Sequence, residues 1–408
     1  MTSAPPFRES ARAWAEVAAQ SFGGPAAQIA VMHRVFVEQR RWIDEASFLA
    51  ALQLCMILPG PEAQQLITWI GWRQHGLRGG LVAGWLFVLP GFVSLLALSV
   101  LTVGWGHTPA VGGLLFGLKA AVLALLVEAI TRLSRRALQT RPMVLLAGVA
   151  LLARLVGVPF PVLIVAAGLL GALRAPAPTV APPPLTWGGP LRVGAVGLLL
   201  WLGPVAILAA ITGGSSIWTQ LGLFFAQAAT LTFGGAYAVL GWVAEHAVAD
   251  RGWLSTAEMM DGLGLAESTP GPLIQVVQHV GFLAASRSPG SLPPLLAGAL
   301  GATLTTWVTF APSFLWIFAL APQLEALRAR PRWAAAVGTI SAVVVGVVAE
   351  LGIQFARSTL YRPENALPVD LLALGIAVTT GLALHRWPKH SLRVLAGAAL
   401  VGIAARSL

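Results

Sequence analysis

Two stretches of this chain repeat one another 211 residues apart, and that repeat limits the possible fold more than any other feature. Phe22-Gly23-Gly24-Pro25 returns as Phe233-Gly234-Gly235-Ala236, Arg40 and Trp42 return as Arg251 and Trp253, and Pro59-Gly60-Pro61 returns as Pro270-Gly271-Pro272. Gln64 and Gln275 keep the offset, whereas Pro90 and Pro312 stand 222 apart, which places an eleven-residue insertion around Ser286–Pro294. Agreement at so many positions marks a tandem duplication in which each half carries the same two glycine/proline breaks.

Each half is built for lipid. Apolar residues make up 57% of the 408 and charged residues only 10%, against roughly 25% charged in a soluble domain. At about 30 residues per span and loop, the length allows on the order of a dozen helices. Apolar stretches fall near 14–37, 47–72, 81–104, 110–131, 143–155 and 159–173, then near 191–212, 217–248, 255–285, 293–321, 333–356, 368–386 and 392–406. Five prolines between Pro176 and Pro184 separate the two groups and suit an extended connector. The expected fold is an all-α polytopic membrane protein with about 13 transmembrane helices. It comprises a repeat over 1–173, a linker over 174–190, a connecting helix over 191–212 and a second repeat over 213–408. The start, MTSAPPFRESARAW, has no apolar run before a small-residue cleavage site, so a removable signal peptide is not expected.

Charge gives an orientation. With the N-terminus inside and thirteen spans, seventeen Lys and Arg fall on the inner side and eight on the outer, with Lys119 in mid-membrane. That bias follows the positive-inside rule and sets the halves in inverted topology, the architecture of secondary transporters. The net charge of +10 belongs to these loops: no basic run alternates with aromatics, so nucleic acid is not a partner. The single cysteine, Cys55, excludes an intrachain disulfide and a thiolate cage.

A helix broken inside a membrane leaves backbone groups unpaired at several kcal/mol each, so breaks persist only where protein or a wet cavity satisfies them. New half-helices starting after Pro25, Pro61, Ala236 and Pro272 aim free amides and a positive dipole end into the gap, an anion-binding geometry.

These residues resemble the chromate ion transporters in their long, two-domain form. The likeness rests on FGGPAAQIAVMHRVFVEQRRWID followed by LPGPEAQQL in the first half, and on FGGAYAVLGWVAEHAVADRGWLS followed by TPGPLIQ in the second. It covers nearly the whole chain. The resemblance implies a multi-pass protein of the cytoplasmic (inner) membrane that expels chromate, a tetrahedral dianion similar to sulfate, and so confers chromate resistance. It also implies substrate-site roles for Phe22, Gly23, Gly24, Pro25, Trp42, Pro59, Gly60 and Pro61, with Phe233, Gly234, Gly235, Trp253, Pro270, Gly271 and Pro272 in the second half. Sulfate exchange and proton coupling both remain open.

Other side chains complete the expected site. Gln64, Gln65 and Gln275 lie just after the breaks and offer amide hydrogens to oxyanion oxygens. Lys119, in mid-span, costs about 2.5–3.5 kcal/mol there and serves either as an anion contact or as partner to a carboxylate such as Glu267. Glu62 opposes the dipole of its own half-helix unless it is protonated, faces away or carries a coupling proton. Arg34, Arg41 and Arg251 lie near helix ends, as funnels for anions or as anchors. The histidines lack zinc-ligand spacing, and no metal or cofactor is expected. Gly80/Gly84 and Gly113/Gly117 point to helix contacts inside the molecule, with a homodimer surface as the alternative.

No His-Glu-x-x-His, Gly-x-Ser-x-Gly or nucleotide-binding Gly-rich loop occurs, which disfavours an enzyme or an ATP-driven pump. The alternative within the fold is a carrier or channel for sulfate or another oxyanion. Gly24→Val or Gly60→Val is expected to abolish transport while leaving membrane insertion largely intact, as measured by flux and by the amount of protein recovered in membranes.

Overall fold

The structure is a computed structural model and describes residues 5–407 except 23, 177–182, 185–187, 234–235, 329, 362–367 and 388–389. The first half contains α1 (Phe7–Ala19), α2 (Gly24–His33), α3 (Glu45–Ile57), α4 (Glu62–Trp105), α5 (Pro109–Ala137), α6 (Arg141–Leu155) and α7 (Phe160–Arg174). Helix α8 (Gly188–Thr212) leads to α9 (Ile217–Thr230), α10 (Ala236–Glu245), α11 (Thr256–Ser268) and α12 (Val276–Arg287). Then follow α13 (Pro294–Leu320), a short α14 (Leu324–Arg328), α15 (Pro331–Leu360), α16 (Leu371–Arg386) and α17 (Ser391–Ser407). The duplication is visible element by element. α3 and α11 start and end 211 residues apart, α5 and α15 start 222 apart, and α2 and α10 each run into a π-helical turn, Arg34–Gln39 and His246–Asp250.

The helices stop at the repeated motifs. Proline lacks an amide hydrogen and disfavours helix in the residue before it, so α3 ends ahead of Pro59 and α11 ahead of Pro270. Gly60 and Gly271 take φ of +129° and +106°, a backbone that glycine alone adopts readily. A further bend at His75 and Gly76 (φ +60°) folds α4 into two arms, 62–74 and 77–105. The arms pack so closely that a Cβ on Gly71 would stand 2.4 Å from the Gly79 carbonyl oxygen. In the second half α12 and α13 form the same pair, with Gly301 against the Gly281 carbonyl at 2.5 Å from a would-be Cβ.

Four stretches expected as single spans are instead hairpins. Arg40 reaches Glu9 and Glu16 at 3.5 and 3.2 Å, so the segment holding 14–37 returns to the side on which it began. Helix α3 packs back on α4, so the stretch around 47–72 turns back in the same way. The second half repeats this. Arg251 donates to Gln220 at 3.3 Å, and Arg287 donates to the Trp253 carbonyl at 2.7 Å and pairs with Glu258. The physical reason is length. A bilayer core of about 30 Å needs about 20 helical residues, whereas α1, α2, α3, α9, α10, α11 and α12 have 10 to 14. Each of the stretches 14–37, 47–72, 217–248 and 255–285, expected as one span, is therefore divided between two short helical segments. Helix α1 is amphipathic as well: Ala13, Trp14, Val17 and Ala18 are buried while Arg8, Glu9, Arg12 and Glu16 face out.

Five helices among the described residues are long and apolar enough to cross a membrane: those at 62–105, 109–137, 189–212, 294–323 and 331–360. Large apolar side chains such as Leu145, Leu173, Leu199, Ile211 and Leu382 lie exposed on the outside, the surface of a multi-pass membrane protein. The two halves interlock reciprocally. The α6–α7 hairpin of the first half packs on α15 of the second, and α16–α17 of the second packs on α5 of the first. Equivalent helices also run antiparallel, α4 passing α13 with Gly80 against Phe318 and Gly84 against Phe314. The close-packing glycines accordingly serve contacts inside the molecule: a Cβ on Gly117 would stand 2.1 Å from the Ala398 carbonyl oxygen.

At the α6–α15 contact a Cβ on Gly346 would stand 2.2 Å from the Ala147 carbonyl oxygen, whereas Gly148 has nothing within 4 Å. Gly346→Ala is expected to destabilise by about 1–3 kcal/mol and Gly148→Ala to change little, as read from thermal unfolding in detergent.

Candidate functional site

Four hairpin tips meet at the centre of the molecule. Two backbone hydrogen bonds join them: the Gly60 amide donates to the Thr232 carbonyl at 2.8 Å, and the Gly271 amide donates to the Ser21 carbonyl at 2.8 Å. Gly60 corresponds to Gly271 and Ser21 to Thr232, so each half gives the other the same bond. A contact in which i meets j and j meets i is the signature of a two-fold relation. Gln28 reinforces one of the pair, its side-chain amide donating to the Gly271 carbonyl at 2.6 Å. Its counterpart is the apolar Val239.

Long helices brace the tips. A Cβ on Gly91 of α4 would stand 2.5 Å from the Pro270 carbonyl oxygen, while Ser313 Oγ of α13 lies 2.8 Å from where a Cβ on Gly60 would be. Gly91 and Ser313 are repeat equivalents, each following a mid-helix proline, Pro90 and Pro312. The break of one half thus rests on the long helix of the other. Proline frees a carbonyl one turn earlier, and at Pro312 that carbonyl, of Val308, accepts from Trp201 Nε1 at 2.7 Å.

The tips enclose a small cavity lined by Pro25, Gln28, Pro61, Glu62, Ala63, Ala236, Pro272, Leu273 and Ile274. All four motifs contribute. It is closed down in this conformation, the centre of a water molecule having about 10 Å³ to move in, room for about one water. The helix starts facing it, after Pro61 and Pro272, carry no side-chain cap, so their first amides and dipole ends remain available for negative charge. The opposite ends of the hairpins are capped. Asp44 accepts from the Ser47 amide at 2.8 Å, a bond that holds its carboxyl below the usual range. At the equivalent position Ser255 forms a capping box with Glu258.

Polar side chains surround the tips. Gln65 donates to the Pro59 carbonyl at 2.8 Å, and Gln64, fully buried, has neither its amide nitrogen nor its oxygen bonded. Gln275 donates to Thr306 at 3.1 Å and to Gln278, which in turn donates to the Phe92 carbonyl at 2.9 Å. Ser313 Oγ and Thr309 Oγ1 are buried without partners. Buried polar groups normally find partners, and these unpaired ones lie together around the tips. Pro25, Pro61 and Pro272 line the cavity, and Gly24 opens α2 with φ +78°. Pro59, Gly60, Pro270 and Gly271 form the two joined tips, while Phe22 and Phe233 are half-buried beside the other two. Gly23, Gly234 and Gly235 lie outside the described residues.

The charged candidates are dispersed. Lys119 does not line the central cavity. It pairs with Asp261 at 3.0 Å, not with Glu267, and Asp261 lines a separate cavity of about 430 Å³ with Thr102, Glu258, His279 and Arg287. Glu267 instead accepts from the Tyr237 hydroxyl. Arg34 donates to Gln20 at 2.8 Å, and Arg41 sits exposed in the turn after α2 with φ +51°. Arg251 stacks on Phe224 and Trp253 at 5.1 and 5.0 Å, as Arg40 stacks on Trp42 at 4.9 Å, so the repeated Arg-x-Trp clamps the mouth of a hairpin. Sequence reasoning missed Gln28, Gln278, Thr306, Thr309 and Ser313. The repeat offset held the signal for Ser313, one residue after Pro312.

The sequence model of the family described as "Chromate transporter" matches residues 8–172 and 219–403. A chromate transport protein of Pseudomonas aeruginosa is 33% identical over 392 residues, covering 94% of this chain and 88% of the relative. One of Cupriavidus metallidurans is 29% identical over 389 residues, covering 95% and 90%. An uncharacterized transporter of Bacillus subtilis is 27% identical over 159 residues, 38% of this chain but 89% of its own, the extent of one repeat. No solved structure matches the chain significantly.

The site predicts an order of tolerance. A Cβ on Gly60 would stand 2.6 Å from Gln65 Nε2 and 2.8 Å from Ser313 Oγ, whereas on Gly271 its nearest neighbour is at 3.5 Å. Gly60→Ala is expected to lower the unfolding temperature more than Gly271→Ala, and adding Ser313→Gly is expected to recover part of the Gly60→Ala loss.

Proposed function

The chain belongs to the chromate transporter family, and from that premise we propose that it is a secondary transporter that exports chromate across the cytoplasmic membrane and confers chromate resistance. The observation that carries this reading is the meeting of four hairpin tips, with uncapped helix starts, around one nearly closed cavity whose walls are neutral apart from Glu62. Backbone amides and glutamine side chains suit a tetrahedral dianion, which accepts many hydrogen bonds and donates none. A cavity with room for about one water suits the closed state of a carrier.

We place 1–173 and 213–408 as two repeats in inverted topology, joined by the linker 174–190 and the crossing at 191–212. Hairpins of the first half then enter from the inner face and those of the second from the outer. This moves Arg34, Arg40 and Arg41 inward and Arg251 outward, leaving nineteen Lys and Arg inside against six outside, a stronger positive-inside bias than thirteen spans produce. Alternating access follows by parting the two sets of tips. Two backbone hydrogen bonds hold them, each worth about 0.5–1.5 kcal/mol net, a restraint that a bound ion and a membrane potential can overcome. Moving one charge through 100 mV is worth about 2.3 kcal/mol, so an interior-negative potential drives export of an anion. Proton coupling or sulfate exchange supplies further drive, with Glu62 and Glu267 as the buried carboxylates nearest the tips.

Chromate flux in proteoliposomes under an imposed potential, with sulfate on either side and pH varied, tests this. Saturable flux that follows the potential is expected. Flux of sulfate without chromate makes the protein a sulfate carrier of the same fold, and flux of neither removes the oxyanion assignment.

A further inference from the structure

Among the described residues, the central cavity is lined by one charged side chain. Glu62 lines it, is 8% exposed, and makes no hydrogen bond or ion pair among the described residues. The other walls are neutral: Pro25 and Gln28 from α2, Ala63 beside Glu62 itself, Ala236 from α10, and Pro272, Leu273 and Ile274 ahead of α12. Beyond the walls, Arg136 at the end of α5 acts on Glu62 electrostatically, and the buried thiol of Cys55 on α3 is its other titratable neighbour. Glu267 does not line the cavity and is engaged by Tyr237. The repeat equivalent of Glu62 is Leu273, so the pair of tips holds one carboxylate, not two.

A carboxylate in this position conflicts with an anionic ligand. Two like charges in so small and dry a space repel strongly, and neither keeps its charge beside the other without help. A single proton between them resolves the conflict by turning repulsion into a charge-assisted hydrogen bond. We propose that the central site takes its oxyanion together with one proton, shared between the Glu62 carboxylate and a ligand oxygen. The site therefore admits oxyanions basic enough to hold a proton near neutral pH and rejects those that stay fully ionised.

This inference rests on the oxyanion-carrier reading and assigns its selectivity. Chromate, sulfate and selenate are all tetrahedral dianions, and a site of neutral donors alone cannot separate them by shape. Their basicity differs: hydrogen chromate gives up its proton close to neutrality, hydrogen sulfate and hydrogen selenate only in strong acid. Glu62 is a repulsive element directed against the second group. No bond is made or broken beyond the hydrogen bond; the proton enters and leaves with the ion, and the loaded ligand carries one net negative charge.

The test uses the full chain in proteoliposomes, with chromate flux measured against selenate and sulfate from mildly acid to mildly alkaline pH. Selenate, close to chromate in size, is expected to compete at least about tenfold more weakly than unlabelled chromate. The chromate KM is expected to rise by about tenfold per pH unit on the alkaline side, since binding takes up a proton. The reversal potential is expected to correspond to one net charge per chromate. In Glu62→Gln the selenate preference ratio is expected to fall to within about twofold and the pH slope of KM to vanish. Selenate competing as well as chromate in the unaltered protein, with a KM flat in pH and two charges per ion, overturns the inference while leaving the carrier intact. Absence of chromate flux overturns both. Should Glu62→Gln fail to insert, the competition and reversal potential of the unaltered protein decide.

Discussion

Everything in this molecule depends on finding partners for backbone that lipid cannot satisfy. Unwound chain inside a bilayer is tolerated only where protein supplies the missing hydrogen bonds, and here each half supplies them to the other. The Gly60 amide takes the Thr232 carbonyl and the Gly271 amide takes the Ser21 carbonyl. Neither set of tips is satisfied alone, so the break in each half requires the presence of the other half.

The rest of the fold positions that exchange. Hairpins of half-length helices bring the tips to the centre, and small residues let helices approach until backbone meets backbone, as at Gly71 with Gly79 and Gly117 with Ala398. The α6–α7 and α16–α17 pairs cross to the opposite half and clamp α15 and α5. Polar anchors sit at the outer ends: capped starts at Asp44 and Ser255, and the Arg-x-Trp stacks. Uncapped starts point inward. The same chemistry that caps the outer ends of the hairpins is absent at the centre.

Much of this was legible in the chain. The 211-residue offset located the breaks, and Pro61, Pro272 and Pro25 do line the cavity. Hydropathy cannot tell a crossing from a hairpin, because a pair of short apolar helices and one long one have the same composition; the stretches 14–37 and 255–285 read as single spans and fold as pairs of short helices. Charge partners were equally hidden. Lys119 meets Asp261 rather than Glu267 because α5 packs along α11 at that level, a fact of helix packing with no local signal. Gln278 and Thr306 stand in apolar stretches with nothing to distinguish them from residues facing a helix neighbour.

By itself the sequence determined the solvent, the duplication and the places where helix must stop, since composition, repeat and proline act through local chemistry that needs no partner. Tertiary structure alone decided that the broken segments turn back, that their tips meet across the halves, and that Glu62 ends up as the one charge in the cavity. Those outcomes depend on which surfaces pack together. Packing is set by contacts between residues hundreds of positions apart, and a linear reading contains the residues without the distances between them.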